Sequence, residues 1–172
     1  MTRETLIIGF RFVLLLLIQT LILNRIHLFG FLNPNAYLLF IFLYPVETKR
    51  ANFLIVSFLF GLCIDLFSNT GGINAAATVA TAYLTLPLIK IIWNSQDLDF
   101  QLFKLNNEPL PKTLVYISLL TLVHHFLLFS IEYWSLREFG TVLYKTFSTS
   151  VVTIFLCILG LYLTKKGAST HY

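Results

Sequence analysis

A single carboxylate lies in an otherwise apolar stretch of this 172-residue chain. Asp65 belongs to the segment 60–84, in which nearly every other residue is apolar or small. A buried carboxylate needs hydrogen-bond donors or a cation as its partner. Two partners are expected: the free backbone amides at the start of the next helix, which form a positive dipole end, and Lys145. Such a group either binds a ligand or fastens helices together.

Other polar side chains follow at helical spacing. Ser57, Gly61 and Asp65 are four residues apart and therefore share one face of a helix. The next helix carries a small polar stripe that includes Asn74 and Thr78. We predict a polar cluster in the outer half of a helix bundle, and two interpretations of it stay open: a structural fastening, or a contact for a ligand or partner. The predicted members are Asp65, Asn74, Thr78, Lys145 and Thr149.

Two adjacent histidines lie within a later apolar segment. His125 shares a helical face with Ser118 and Thr121, so we predict that His125 points into the bundle and that His124 points elsewhere. Neighbours on a helix are about 100° apart and cannot share one metal ion, whereas paired-histidine sites favour i, i+4 spacing. The pair predicts structural hydrogen bonding. A proton relay or pH-sensing role is the alternative, and a metal site is the least favoured.

Sequence signatures of catalysis are missing. The chain has no glycine-rich phosphate loop, no nucleophile elbow and no paired carboxylates on one helix. Cys63 and Cys157 both lie in apolar runs and are interpreted as small buried hydrophobic residues. We therefore expect a protein that is not an enzyme, with no catalytic residue, no cofactor and no metal.

The composition says which solvent surrounds these residues. Hydrophobic residues make up 57% of the chain and charged residues 12%, and the mean hydropathy is +0.80. Average soluble chains are about 45–50% apolar and about 25% charged. The chain is therefore an integral membrane protein whose partners include the lipid bilayer. The chain has a net charge of +4, and in a membrane protein such an excess of lysine and arginine usually lies in the cytoplasmic loops. We therefore expect no nucleic-acid partner.

Hydropathy and charge together predict the topology. The short second span begins well, because Asn33 is a good N-cap and Pro34 suits the first helical turn. Counting it places most lysines and arginines on one side and leaves Arg25 and Arg137 on the other, as the positive-inside rule requires. We predict an all-α, polytopic membrane helical bundle of six transmembrane helices in one domain, with both termini cytoplasmic. The predicted spans are residues 5–24, 34–46, 52–68, 73–93, 112–132 and 141–164.

Small residues mark where helices can approach closely. Ser57 and Gly61 form a small-xxx-small pair, and the Gly71-Gly72 turn can adopt backbone angles that other residues avoid. A partner helix is expected to pack at the face around Gly61 or at Ala76 and Ala80. The longest loop, 94–112, alternates apolar with polar residues and is interpreted as a segment on the membrane surface, with a docking surface for a cytoplasmic partner as the alternative.

The segment FGLCIDLFSNTGGINAAATVATAYL, with Pro34 and the basic pair Lys49-Arg50 before it, resembles the rod shape-determining protein MreD family of bacteria. That family has Gly-Leu-x-x-Asp on the third helix, a small turn, a glycine and an alanine-rich fourth helix. The length and the span count extend the resemblance over the whole chain, although the residues after 94 match only in hydropathy. The matching positions are Gly61, Leu62, Asp65, Gly72 and 75–77.

The resemblance implies a non-enzymatic, multi-pass subunit of the bacterial inner membrane that helps lateral cell-wall (peptidoglycan) elongation and the regulation of cell shape. It implies binding to the bitopic protein MreC and, through MreC, to MreB and a RodA-type glycosyltransferase with its transpeptidase. The implied fold is similar to that of the substrate-binding components of energy-coupling-factor vitamin transporters. The alternative hypothesis is therefore a substrate-capture component, with Asp65, Asn74, Lys145 and Thr149 lining a vitamin pocket.

Overall fold

The computed structural model describes residues 3–26, 33–45, 50–94 and 103–168. These residues form helices and no strands, and five of the helices are long and apolar enough to cross a membrane. This architecture is that of a multi-pass membrane protein. The helices are α1 (Arg3–Leu17), which continues as a π-helical turn (Ile18–Ile22) and a 3-10 turn (Leu23–Arg25), α2 (Leu38–Phe42), α3 (Arg50–Ser68), α4 (Ile73–Trp93), α5 (Leu110–Tyr133) and α6 (Phe139–Ala168).

Consecutive long helices pack side by side, α3 on α4, α4 on α5 and α5 on α6. Short connections make α3 and α4, and α5 and α6, antiparallel. α4 and α5 are antiparallel too, because Trp93 at the end of α4 contacts Tyr116 near the start of α5, while Thr81 contacts His124 farther along. α1 instead runs parallel to α3, because Asn24 at the end of the first span donates from Nδ2 to Ser68 Oγ at the end of α3, at 2.7 Å. Nearer the start of both helices, the rings of Phe12 and Phe60 lie 4.8 Å apart. The chain must therefore return past α1 before α3 begins.

The return is made by residues 33–45, which differ from the regular helix predicted over 34–46. Only Leu38–Phe42 is α-helical, a length that cannot cross a bilayer alone. The segment nevertheless runs back along α1, since Pro34 O accepts from Gln19 at 3.1 Å and Leu43 O accepts from Arg11 at 3.0 Å. Residues 37–42 are all buried, so the bundle itself surrounds this segment and replaces the lipid contacts of an ordinary span.

Aromatic rings fill the centre of the bundle around this segment. Phe40 lies 4.5 Å from Phe60 and 5.6 Å from Phe12, measured between ring centroids, and Tyr37 lies 6.0 Å from Phe60. Such close ring pairs add stabilisation beyond that of the buried area. The core therefore joins α1, α2 and α3 and fixes the depth at which Tyr37 enters the bundle.

The long loop is partly described. Residues 95–102 lie outside the described ranges, and with them the predicted amphipathic positions Leu98, Phe100 and Leu102. From Phe103 onward the loop covers one end of the bundle, where Phe103 and Leu105 are buried. Trp93 Nε1 donates to Glu108 at 2.6 Å, and the Trp93 and Phe103 rings lie 5.3 Å apart. This part of the loop is fastened to the helix ends.

A tight turn joins α3 to α4. Asn69, Gly71 and Gly72 all have positive φ angles, of 54°, 63° and 96°. This left-handed region disfavours most side chains, so the two glycines permit the turn to be this short. The turn brings the end of α3 directly beside the first amides of α4, which sets up the polar site described next.

Candidate functional site

Asp65 caps the N-terminal end of α4. Its Oδ1 accepts hydrogen bonds from the Asn74 amide N–H and from Asn74 Nδ2, both at 3.0 Å, and its Oδ2 accepts from the Ala75 amide at 2.8 Å. The Thr70 hydroxyl also donates to Oδ1. The carboxylate is 4% exposed and lies at the positive end of the helix dipole. A buried charge is thus stabilised by donors that would otherwise be unsatisfied.

Gly61 allows the two helices to come this close. A Cβ added at Gly61 would lie 2.6 Å from Ala75 Cα and 2.9 Å from both Ala75 N and Asn74 O, all of them backbone atoms. Ser57, one turn earlier on the same face, is also buried, and its hydroxyl has no partner among the described residues. The close approach at Gly61 is what places the α4 amides within reach of Asp65.

A chain of hydrogen bonds extends from Asp65 into the bundle centre. Tyr37 Oη lies 3.0 Å from Asn74 Oδ1 and 2.8 Å from His124 Nε2. His124 Nδ1 in turn lies 3.1 Å from Thr81 Oγ1. The chain therefore connects residues of α3, α4, α5 and the segment 33–45, and it reaches about two turns into α4.

The donor and acceptor roles along this chain follow from the ends. The carboxylate only accepts, so the Asn74 NH2 group faces Asp65 and its carbonyl oxygen faces Tyr37. Tyr37 has one proton, which it donates to Asn74 Oδ1, so His124 must donate from Nε2 to Tyr37 Oη. The Thr81 hydroxyl donates its single proton to Ala77 O at 2.7 Å, so it cannot also donate to His124 Nδ1. All the donors between His124 and Asp65 point toward the carboxylate.

His125 belongs to a separate branch on the α6 side. Its Nδ1 lies 2.8 Å from Thr121 O, which only accepts, so Nδ1 carries the proton. Its Nε2 accepts from Thr153 Oγ1 at 3.4 Å, and Thr153 Oγ1 accepts from the Asn35 amide at 3.1 Å. This branch ties the crossing segment to α5 and α6.

The prediction that His124 points away from the bundle was wrong. Both histidines are fully buried, with His124 directed toward α4 and Tyr37. The reason is the position of α5, which packs between α4 and α6. Two side chains about 100° apart on such a helix can each face a different neighbour.

Of the other predicted cluster members, Thr78 lies beside the network and Lys145 does not join Asp65. Thr78 is fully buried and donates to Asn74 O at 2.6 Å, within α4. Thr149 is buried on α6. Lys145 does not pair with Asp65, because Asp65 is occupied by the α4 amides while Lys145 Nζ lies 4.8 Å from the Tyr133 ring centroid and 5.8 Å from that of Phe129. A cation over an aromatic face is attracted by the ring quadrupole.

Sequence reasoning missed Tyr37 as a member of the site. It lies in a short apolar run whose helical period could not be assigned, so no pattern marked the direction of its hydroxyl. Its one signal was its own chemistry, since a buried tyrosine normally needs a partner for its hydroxyl. Thr81, by contrast, follows Asn74 by seven residues and therefore lies on the same polar face of α4 that the sequence predicts.

The site is built of amides, hydroxyls, one carboxylate and two imidazoles that bind one another. Within the described ranges, no group of three histidine, cysteine, aspartate or glutamate side chains is arranged to hold a metal ion. The arrangement can hold α3, α4, α5 and residues 33–45 in register.

A groove of about 540 Å³ lies on the outer surface, away from this network. Predicted partner-packing residues Ala76 and Ala80 line it, whereas Gly61 is covered by α4. The remaining lining residues are Phe58, Val79, Tyr83 and Leu84.

No family model matches the chain, and no curated protein and no solved structure shows significant similarity to it.

Proposed function

We propose that this protein is a non-enzymatic inner-membrane subunit of the lateral cell-wall elongation machinery, of the MreD type. In this role it binds MreC and, through MreC, is linked to MreB and to a RodA-type glycosyltransferase with its transpeptidase. One observation carries the proposal: the residues of the family resemblance are the ones from which the α3–α4 hairpin is built. Gly61 permits the close approach, Asp65 caps α4 and Gly72 takes a left-handed conformation.

The chemistry of the network supports a scaffold. Both oxygens of Asp65 and both ring nitrogens of His124 already have protein partners. Vitamin capture, the alternative, would call on Asp65 and Lys145 together, yet each of them contacts a different group. Interhelical polar contacts of this kind join helices in a membrane.

The topology proposed for this role has six crossings and both termini in the cytoplasm. The parallel course of α1 and α3, with residues 33–45 running between them, supports an even number of crossings. A reporter fused after Leu105 should be cytoplasmic and one fused near Arg137 periplasmic. The reverse pattern at either fusion would overturn this topology.

Depletion of the protein in its bacterial host tests the function. Rod-shaped cells should become round, and re-expression of the wild type should restore them. Vitamin auxotrophy with normal shape would contradict the proposal and support substrate capture. Co-purification from native membranes should also recover MreC with the wild type. The Asp65→Ala variant should recover less, whereas Val151→Ala, at a residue that is 68% exposed on α6, serves as the matched control.

A further inference from the structure

The outer groove between α3 and α4 combines an apolar channel with a cation at one end. Its lining is almost purely apolar, and Phe58 and Tyr83 form raised walls that are 45% and 53% exposed. Ala76 and Ala80, one helical turn apart on the same face, form the floor, which is low because their side chains are small. Both helices are membrane-spanning, so the channel opens toward the hydrocarbon of the bilayer.

Arg50 lies at the end of this channel. Its guanidinium carbon is 4.3 Å from the Tyr83 ring centroid, and its Nη2 donates to Tyr83 O at 3.4 Å. Both contacts come from the groove wall, and the exposed Arg50 guanidinium makes no other hydrogen bond within the described residues, so it keeps donors for a headgroup. Arg50 is the first residue of α3, so it stands where the helix reaches the membrane boundary.

Lys90 adds a second cation at the same end. It follows Tyr83 by seven residues, which is about two helical turns and returns it to the same side of α4. Lys90 is exposed, and it lies farther along α4 toward the helix end at Trp93. The groove thus runs from two cations at the boundary into the hydrocarbon region.

We propose that this groove binds an anionic phospholipid, with one acyl chain lying over Ala76 and Ala80 and the headgroup held by Arg50 and Lys90. An acyl chain fits a lining that is almost purely apolar, and a headgroup phosphate fits an arginine whose planar face is already stacked. The two cations lie at the membrane boundary and the apolar channel runs inward from them. A phospholipid has the same order, with its charged headgroup at the boundary and its acyl chains inside. A partner helix at Ala76 and Ala80 would leave the two cations unexplained.

Native mass spectrometry of the purified full chain tests the assignment. Phosphatidylglycerol should bind at least about fivefold more strongly than phosphatidylcholine with the same acyl chains, since one cation near an anionic headgroup changes binding by about that factor. The double variant Arg50→Gln/Lys90→Gln should lose this preference. Ala80→Trp should reduce the binding of both lipids, and Ala80→Leu is the milder variant if the tryptophan prevents folding.

Matched controls separate the groove from general effects. Arg137→Gln removes an exposed cation elsewhere, and Val151→Trp adds bulk to an exposed position on α6. Neither should change lipid binding. Equal losses in these controls, or an unchanged preference in the double variant, would overturn the proposal. A photo-crosslinker at position 80 in native membranes should label phospholipid, and labelling of a protein helix instead would assign the groove to a partner.

Discussion

The α3–α4 turn gathers polar groups around Asp65, whereas α5 and α6 carry several buried hydroxyls outside the hydrogen-bond network of the described residues. In the hairpin the carboxylate accepts from two backbone amides and two side chains. On α5 and α6 the hydroxyls of Thr121, Thr146 and Ser150 are buried and have no hydrogen-bond partner among the described residues. Both regions consist of membrane-spanning helices, yet buried polar side chains find hydrogen-bond donors in the first region more readily than in the second.

The difference lies in which backbone groups can still accept a partner. At the start of α4 the amides have no intrahelical acceptor, so a carboxylate beside them finds strong donors. In the middle of α5 and α6 the backbone groups are already paired with one another. A hydroxyl there gains little, while a cation such as Lys145 uses aromatic rings instead. The start of α4 is therefore where a polar side chain finds the most unpaired backbone donors.

Replacing Asp65 should have the largest effect on this comparison. Asp65→Ala leaves the Asn74 and Ala75 amides buried without an acceptor, and the free energy of unfolding should fall by about 3 kcal/mol. Asp65→Asn should recover part of the loss, because its carbonyl oxygen still accepts. Thermal unfolding in detergent measures both. Glu132→Ala, at an exposed carboxylate on α5, is the control and should leave the melting temperature unchanged.

A methyl group at position 61 should have the next largest effect. Gly61→Ala places a Cβ against the α4 backbone, which cannot move aside as a side chain would, and should cost about 2 kcal/mol. Gly160→Ala should cost less, because its Cβ meets only the side chain of Leu39. Gly140→Ala, with open space around it, should be neutral or slightly stabilising. If all three variants unfold at the wild-type temperature, the close packing of α3 and α4 at Gly61 does not contribute to the stability of the protein.

Removing the Tyr37 hydroxyl should break the central chain at moderate cost. Tyr37→Phe leaves Asn74 Oδ1 and His124 Nε2 without their shared partner, and interhelical hydrogen bonds in membranes average about 0.6 kcal/mol. Because this substitution removes both hydrogen bonds, the free energy of unfolding should fall by about 1 kcal/mol. Tyr162→Phe, at an exposed position on α6, is the matched control. Unfolding in denaturant should separate the two variants, and equal stability would show that the chain contributes nothing.

Removing buried hydroxyls from α6 should have the smallest effect on the free energy of unfolding. Thr146→Val and Ser150→Ala remove groups that have no partner among the described residues, so stability should change by no more than about 0.5 kcal/mol and in the favourable direction. Thr81→Val is the comparison, since its hydroxyl contacts both Ala77 O and His124. A loss in the α6 variants as large as that for Thr81→Val would mean that the α6 hydroxyls do have partners in the membrane.

The long helices and the α3–α4 hairpin could be predicted from the sequence because both depend on residues that are close together in the chain. Apolar length indicates a membrane helix, and the four-residue spacing of Ser57, Gly61 and Asp65 places them on one face. The amides at the start of α4 were a foreseeable partner, since a helix start offers free donors wherever it occurs.

Tertiary placement decided what local rules could not. Lys145 was expected near Asp65 from depth alone, but depth does not fix rotation or the neighbouring helix. His124 was expected to point elsewhere than His125, and its burial was not foreseen because the sequence does not show that α5 lies between two neighbours. The short crossing segment could be counted by charge, yet its irregular path depends on Gln19 and Thr153, which lie far away in sequence.

That crossing segment has a consequence for how the protein is made. Near Asn35 its backbone is not helical, and such backbone is tolerated at membrane depth only where protein surrounds it. Its amides at Tyr37 and Asn35 are satisfied by Gln19 from the first span and by Thr153 from the last. The contact of Asn35 with Thr153 can form only once α6 is present. Residues 33–45 therefore complete their own hydrogen bonds only after the last helix of the chain has joined the bundle.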